Sequence, residues 1–145
     1  IYADLKSNPH VVYGGSIPYK MVQEKMNASD VTVIVEGFEN KDIELSRYSL
    51  STKAADALAS GTAILTYGSE ECGIVEYMRS TNASIVCSNK AELKKSIELL
   101  LNDVDLQKAF YKQQIVMTEE HHNIQKSCTV AENVINGAIQ KSEMH

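Results

Sequence analysis

Ser51, Thr52, Lys53 and Asp56 are the residues of this 145-residue chain whose types and spacing best suit chemistry. They head the segment Ser51-Thr-Lys-Ala-Ala-Asp-Ala-Leu-Ala-Ser-Gly61, which reads as an alanine-rich helix closed by a glycine. Backbone N–H groups at a helix amino end form a ready anion site. Two hydroxyls and an ammonium add donors for a phosphate, and a carboxylate one turn on adds an acceptor for sugar hydroxyls. Thr52 and Asp56 are four apart and Lys53 and Asp56 three apart, so all three share one edge of the helix. A lysine in the first turn opposes the helix dipole, and an anion docked against it would account for it. The plainer alternative is a Ser51 cap with a surface Lys–Asp pair worth at most ~0.5 kcal/mol. Both readings stand at this point.

The surrounding pattern specifies how those residues are positioned. Val11-Val-Tyr13 reads as a strand ending at Gly14-Gly15, and Ser16 and Pro18 open a helix through about Asn27. Asp30 precedes Val31-Thr-Val-Ile-Val35, a β-branched run of the kind found in buried parallel strands. Residues 39–48 are polar without a clean period and read as an excursion, in part helical, before the Ser51 helix. Thr62–Tyr67 and Ala83–Cys87 are further strands, with a helix near Gly73–Ser80 between them. Amphipathic helices follow over Ala91–Leu101, from Leu106 towards Glu119, and from about Ile124 to Ala138. Strands alternating with helices imply an α/β fold: a parallel sheet of four strands with helices on both faces, in a single domain over residues 1–145. Ligands of such sheets bind beyond the carboxyl ends of the strands. Glu36, Ser51–Asp56 and Gly68–Glu71 are expected on that rim.

Other candidates carry weaker signals. Glu36 ends the first well-marked strand and can place a carboxylate near a substrate, or simply terminate the strand. Arg47 and Tyr48 can reach a phosphate or a base, or lie solvated in the loop. Glu70 and Glu71 complement a helix start and would repel a diphosphate. Cys72, Cys87 and Cys128 are far apart, and the four histidines lack thiols or acids at ligand spacing, so no metal site is expected. A net charge of −5 argues against a nucleic-acid surface. No apolar run reaches the ~18 residues of a membrane span. The chain opens Ile-Tyr-Ala-Asp, without a signal peptide, and is expected to be part of a longer polypeptide.

Asp30 through Gly61 and the following strand resemble the C-terminal, donor-binding domain of GT-B glycosyltransferases. The likeness is to the family-4 group that builds bacterial surface polysaccharides. The shared pattern is Ser-x-Lys-x-x-(Glu/Asp)-x-Leu-Ala-x-Gly, met here by Ser51, Lys53, Asp56, Leu58, Ala59 and Gly61. Ala91-Glu-Leu-Lys…Leu-Leu-Leu-Asn-Asp103 resembles the family's penultimate helix and its break.

The resemblance implies a Rossmann-like sheet and transfer of a sugar from a nucleotide-diphosphate sugar to a glycan or lipid-linked acceptor. No other cofactor is implied. Ser51, Thr52 and Lys53 would face the donor diphosphate, Asp56 would hold the ribose hydroxyls, and Gly15, Ser16 and Ile17 would lie near the base. The first acid of the family's Glu-x7-Glu would fall at Tyr48, which is not acidic; that role could pass to Glu36, the one catalytic candidate. The acceptor would dock on an N-terminal domain outside this chain, leaving the chain inactive alone. The full-length enzyme would be cytoplasmic or peripheral on the inner face of the membrane. The alternatives are a GT-B-like sugar-nucleotide epimerase and a non-catalytic α/β interaction module.

Overall fold

The computed structural model describes residues 7–143, and side chains through Gln140. A 3₁₀ turn at Tyr19–Met21 runs into α1 (Val22–Asn27), followed by β1 (Val31–Val35), α2 (Asn40–Ser46) and α3 (Thr52–Ser60). Then come β2 (Ala63–Tyr67), α4 (Gly73–Thr81) and β3 (Ile85–Cys87). A second 3₁₀ turn at Lys90–Glu92 leads into α5 (Leu93–Asn102), α6 (Val104–His121) and α7 (Ile124–Glu143).

The three strands form one parallel sheet in the order β1-β2-β3. Thr32 pairs with Ile64, Val33 with Leu65, and Leu65 with Ile85. Because side chains alternate across a strand, this register sorts them onto two faces. Ile34 and Ile64 join Ile43, Ala54, Ala57, Leu58, Ile74, Val75, Met78 and Met117 on one face, beneath α2, α3, α4 and α6. Leu65 and Cys87 meet Leu100, with Leu93 and Phe110, on the other, beneath α5 and the start of α6. The expected α/β architecture, a parallel sheet covered on both faces, is therefore present.

One expected strand is absent among the described residues. Val11–Tyr13 has no strand conformation; Val12 is 96% exposed, and the sheet has three strands rather than four. Three apolar residues do not make a strand without a ladder to join. The polar stretch at 39–48 is more regular than its sequence pattern: α2 occupies most of it, anchored by buried Ile43. The final helix extends past Ala138, the end expected from the sequence, to Glu143.

The α3 segment forms as its sequence indicates. Ser51 is the N-cap, with its Oγ accepting from the Lys53 N–H at 3.3 Å. Gly61 ends the helix at φ 70°, the left-handed region open to glycine. Ala54 and Ala57 are fully buried against the sheet, so their small side chains bring this helix close to β1 and β2.

Candidate functional site

At the carboxyl end of β1 lies an open cavity of about 740 Å³, lined by Val35, Glu36, Gly37, Asp42, Leu45 and Ser46, with Ser49, Leu50, Ser51 and Thr52 completing it. Three elements build it: the end of β1 supplies the floor, α2 one wall, and the amino end of α3 the other. Gly37 has a specific part in this. A Cβ there would collide with the Asp42 side chain, so the missing side chain lets α2 fold its acid over the strand end.

The amino end of α3 faces the cavity through Ser51 and Thr52. Its first amides are partly engaged: Lys53 N–H by Ser51 Oγ, and Ala54 N–H by the Ser51 carbonyl at 3.0 Å. An anion here would meet the Thr52 amide and the hydroxyls of Ser51 and Thr52.

Lys53 does not line the cavity but reaches its edge, where Nζ lies 3.2 Å from Glu36 Oε1. The Glu36 side chain is 16% exposed and that of Lys53 54%. This pair supplies an internal reason for a lysine in the first turn. The carboxylate at the strand end answers the charge that the helix dipole opposes, so the sequence argument for a docked anion loses its force.

Asp56 sits elsewhere. It is half-buried, one turn along α3 on the side facing α1, and its Oδ1 accepts from the Tyr19 hydroxyl at 2.8 Å. The carboxylate that takes this proton, and its negative charge, hold the Tyr19 phenol above its usual range. Gly15, Ser16 and Ile17 precede Tyr19 in an open stretch, and nothing lies within 4 Å of where a Cβ on Gly15 would stand. The seven donor-site candidates thus fall into three groups. Ser51 and Thr52 line the cavity beside Glu36, Lys53 is tied to its edge, and Asp56 and the 15–17 turn lie off it.

The second rim loop is internally neutralised. Glu70 pairs with Arg79 at 2.9 Å, and Glu71 pairs with Arg47. Neither acid lines the cavity, and Arg47 is directed to Glu71 rather than into it. Tyr48 is 93% exposed and borders a separate, smaller depression with Leu50 and Tyr77.

Asp42, Ser46 and Ser49 line the cavity but carry no signal in the sequence pattern. The available clue was Gly37, a glycine directly after a strand and five residues before an acid. Cys72 and Cys87 are buried free thiols and Cys128 an exposed one. Among the described residues no three His, Cys, Asp or Glu side chains converge as metal ligands would, and no helix is long and apolar enough to cross a membrane.

The fold defines a class: a three-stranded parallel α/β unit with a cavity at the carboxyl edge of its sheet. Beyond that class, comparison with protein-family models, curated proteins and solved structures gives no match.

Proposed function

We propose that this chain is the donor-binding part of a glycosyltransferase of the GT-B kind, acting on a nucleotide-diphosphate sugar. The observation that carries this reading is the cavity at the carboxyl edge of the sheet, met by the amino end of α3 with Ser51 and Thr52 in its lining. That is where parallel α/β sheets bind ligands, and the motif at residues 51–61 resembles the donor helix of that family.

The chemistry follows from charge. As the glycosyl bond breaks, negative charge develops on the leaving diphosphate. Fixed amide and hydroxyl donors aimed at that position stabilise it without reorganising. Thr52 N–H and the two hydroxyls supply such donors, and Lys53 joins them on exchanging Glu36 for phosphate. Asp56 already accepts a hydroxyl proton, from Tyr19, and a ribose hydroxyl replaces that phenol. The acceptor, a glycan or lipid-linked sugar, docks on a part of the enzyme outside this chain.

Titration with UDP-, GDP- and ADP-sugars tests the reading. One base is expected to bind with a dissociation constant of about 1 mM or below. Lys53→Ala and Asp56→Ala should each weaken it several-fold without unfolding the chain. If no nucleotide binds, or if both variants bind as well as the native sequence, the assignment is wrong.

A further inference from the structure

We propose that Asp42 reads the glycosyl group of the donor, and that this group is uncharged: a neutral hexose or N-acetylhexosamine rather than a uronic acid. The inference rests on the donor-site reading above and adds to it the chemical class of the sugar.

The charge around the cavity carries the argument. Glu36 and Asp42 are the ionisable residues in its lining. Among the described residues the ammonium at its edge is that of Lys53, already paired with Glu36. Asp42 is therefore uncompensated: among the described residues no hydrogen bond or ion pair holds its carboxylate. Its position is nonetheless fixed. Its N–H donates to the Glu39 carbonyl at 2.9 Å, its carbonyl accepts from Ser46 Oγ at 2.8 Å, and its side chain fills the space left by Gly37.

A half-buried carboxylate, fixed in place and facing a cavity with hydroxyls around it, is an acceptor awaiting donors. Sugar hydroxyls are such donors, and their hydrogen bonds to a carboxylate are of the stronger, charge-assisted kind. Ser49 and Thr52 add hydroxyls that can donate or accept. A uronic acid in the same space would set a second carboxylate against Asp42 with no cation free to separate them, and like charges at short range repel. The competing explanation is an acid placed in the first turn of α2 to complement its dipole. That role predicts an effect on stability and none on ligand choice.

The test is calorimetric titration of the chain with the bare nucleoside diphosphate of whichever base binds. The same base is then used with a hexose donor and its 6-carboxylate counterpart (for uridine, UDP-glucose against UDP-glucuronate). The native chain should prefer the hexose by about tenfold or more. Asp42→Asn should cut that preference by at least about threefold, the remainder belonging to Glu36 once Lys53 has passed to the phosphate, while leaving the bare diphosphate affinity within about twofold. The bare diphosphate doubles as the folding control, and Asp42→Ser removes the charge a second way if the amide disturbs α2.

Equal affinity for the two sugars in the native chain, or an unchanged preference in both variants while the diphosphate still binds, would overturn the proposal. If no nucleoside diphosphate binds at all, the donor-site reading itself has failed and the inference falls with it.

Discussion

At the amino ends of the strands and at their carboxyl ends, the same kinds of side chain meet different fates. Below β2 and β3, hydroxyls and amides close on one another. Thr32 and Thr62 share a hydrogen bond of 2.8 Å, Ser60 joins Thr62 at 2.8 Å, and Gln114 Nε2 donates to the Thr62 and Ala83 carbonyls at 3.0 and 3.1 Å. Above β1, Ser49, Thr52 and Asp42 line an open cavity, and among the described residues no such network takes up their side chains. Buried polar groups paired in this way fix a fold, and here only Gln114 Oε1 is left buried without a partner among the atoms of that network. Polar groups held in place without partners suit a ligand. Residue type alone does not distinguish these roles; the geometry at each end does.

The closed, amino end gives the largest effect. Gln114→Leu leaves the Thr62 and Ala83 carbonyls without their donor in a buried place but also removes the unpartnered Oε1, and should cost roughly 1–3 kcal/mol. The urea midpoint measures this, and the fraction still folded should bind nucleotide as before. If nucleotide affinity per folded molecule collapses too, the two ends are not independent.

Ala57→Leu probes the element joining them. Ala57 is fully buried between α3 and the sheet, and overpacking there should cost about 1–3 kcal/mol. Because α3 must shift outward, donor affinity should fall as well, which equilibrium unfolding and titration together would reveal.

Glu36→Gln sharpens the open end. With the Lys53 pair partly exposed, stability should change by less than about 1 kcal/mol. The ammonium is then freed from its carboxylate, so affinity for the bare diphosphate should rise about threefold. A fall would mean that Glu36 itself contacts the ligand.

The smallest effect belongs to a contact outside both ends. His122, where α6 meets α7, shares a hydrogen bond of 2.7 Å with the Tyr77 hydroxyl. Burial, and then the neighbouring His121, lower its pKa from the ordinary 6.5. The folded chain therefore prefers the neutral ring. Its contribution is complete above pH 6.5 and is lost as pH falls through that value towards the lower folded one. The unfolding free energies from urea titrations at pH 7.5 and 5.5 should differ by more in the native chain than in His122→Gln, by under about 1 kcal/mol. An equal pH dependence in both would place the titration elsewhere.

Much of the fold was legible because its signals are local. The Ser51 cap, the Gly61 stop, the buried alanines and the β-branched run at 31–35 each act within a few residues of where they stand. Val11–Tyr13 misled because strand conformation depends on a neighbour that the triplet cannot specify. The site was legible by half. Ser51 and Thr52 follow from the helix start, whereas Asp42 reaches the cavity through the fold of a short, aperiodic helix over a glycine. Lys53 and Asp56 stand out in the sequence by residue type, but their partners do not. Glu36 lies 17 residues before Lys53 and Tyr19 lies 37 before Asp56, distances that no local pattern spans.

Among the described residues β1 forms one border of the sheet, and its Val33 and Val35 are 51% and 56% exposed. A border of that kind carries unspent backbone donors and acceptors beside apolar side chains, which is the surface on which foreign strands add. Concentrated samples of this chain should therefore self-associate through the β1 side, and a lysine in place of Val33 is the change to make before crystallisation or spectroscopy.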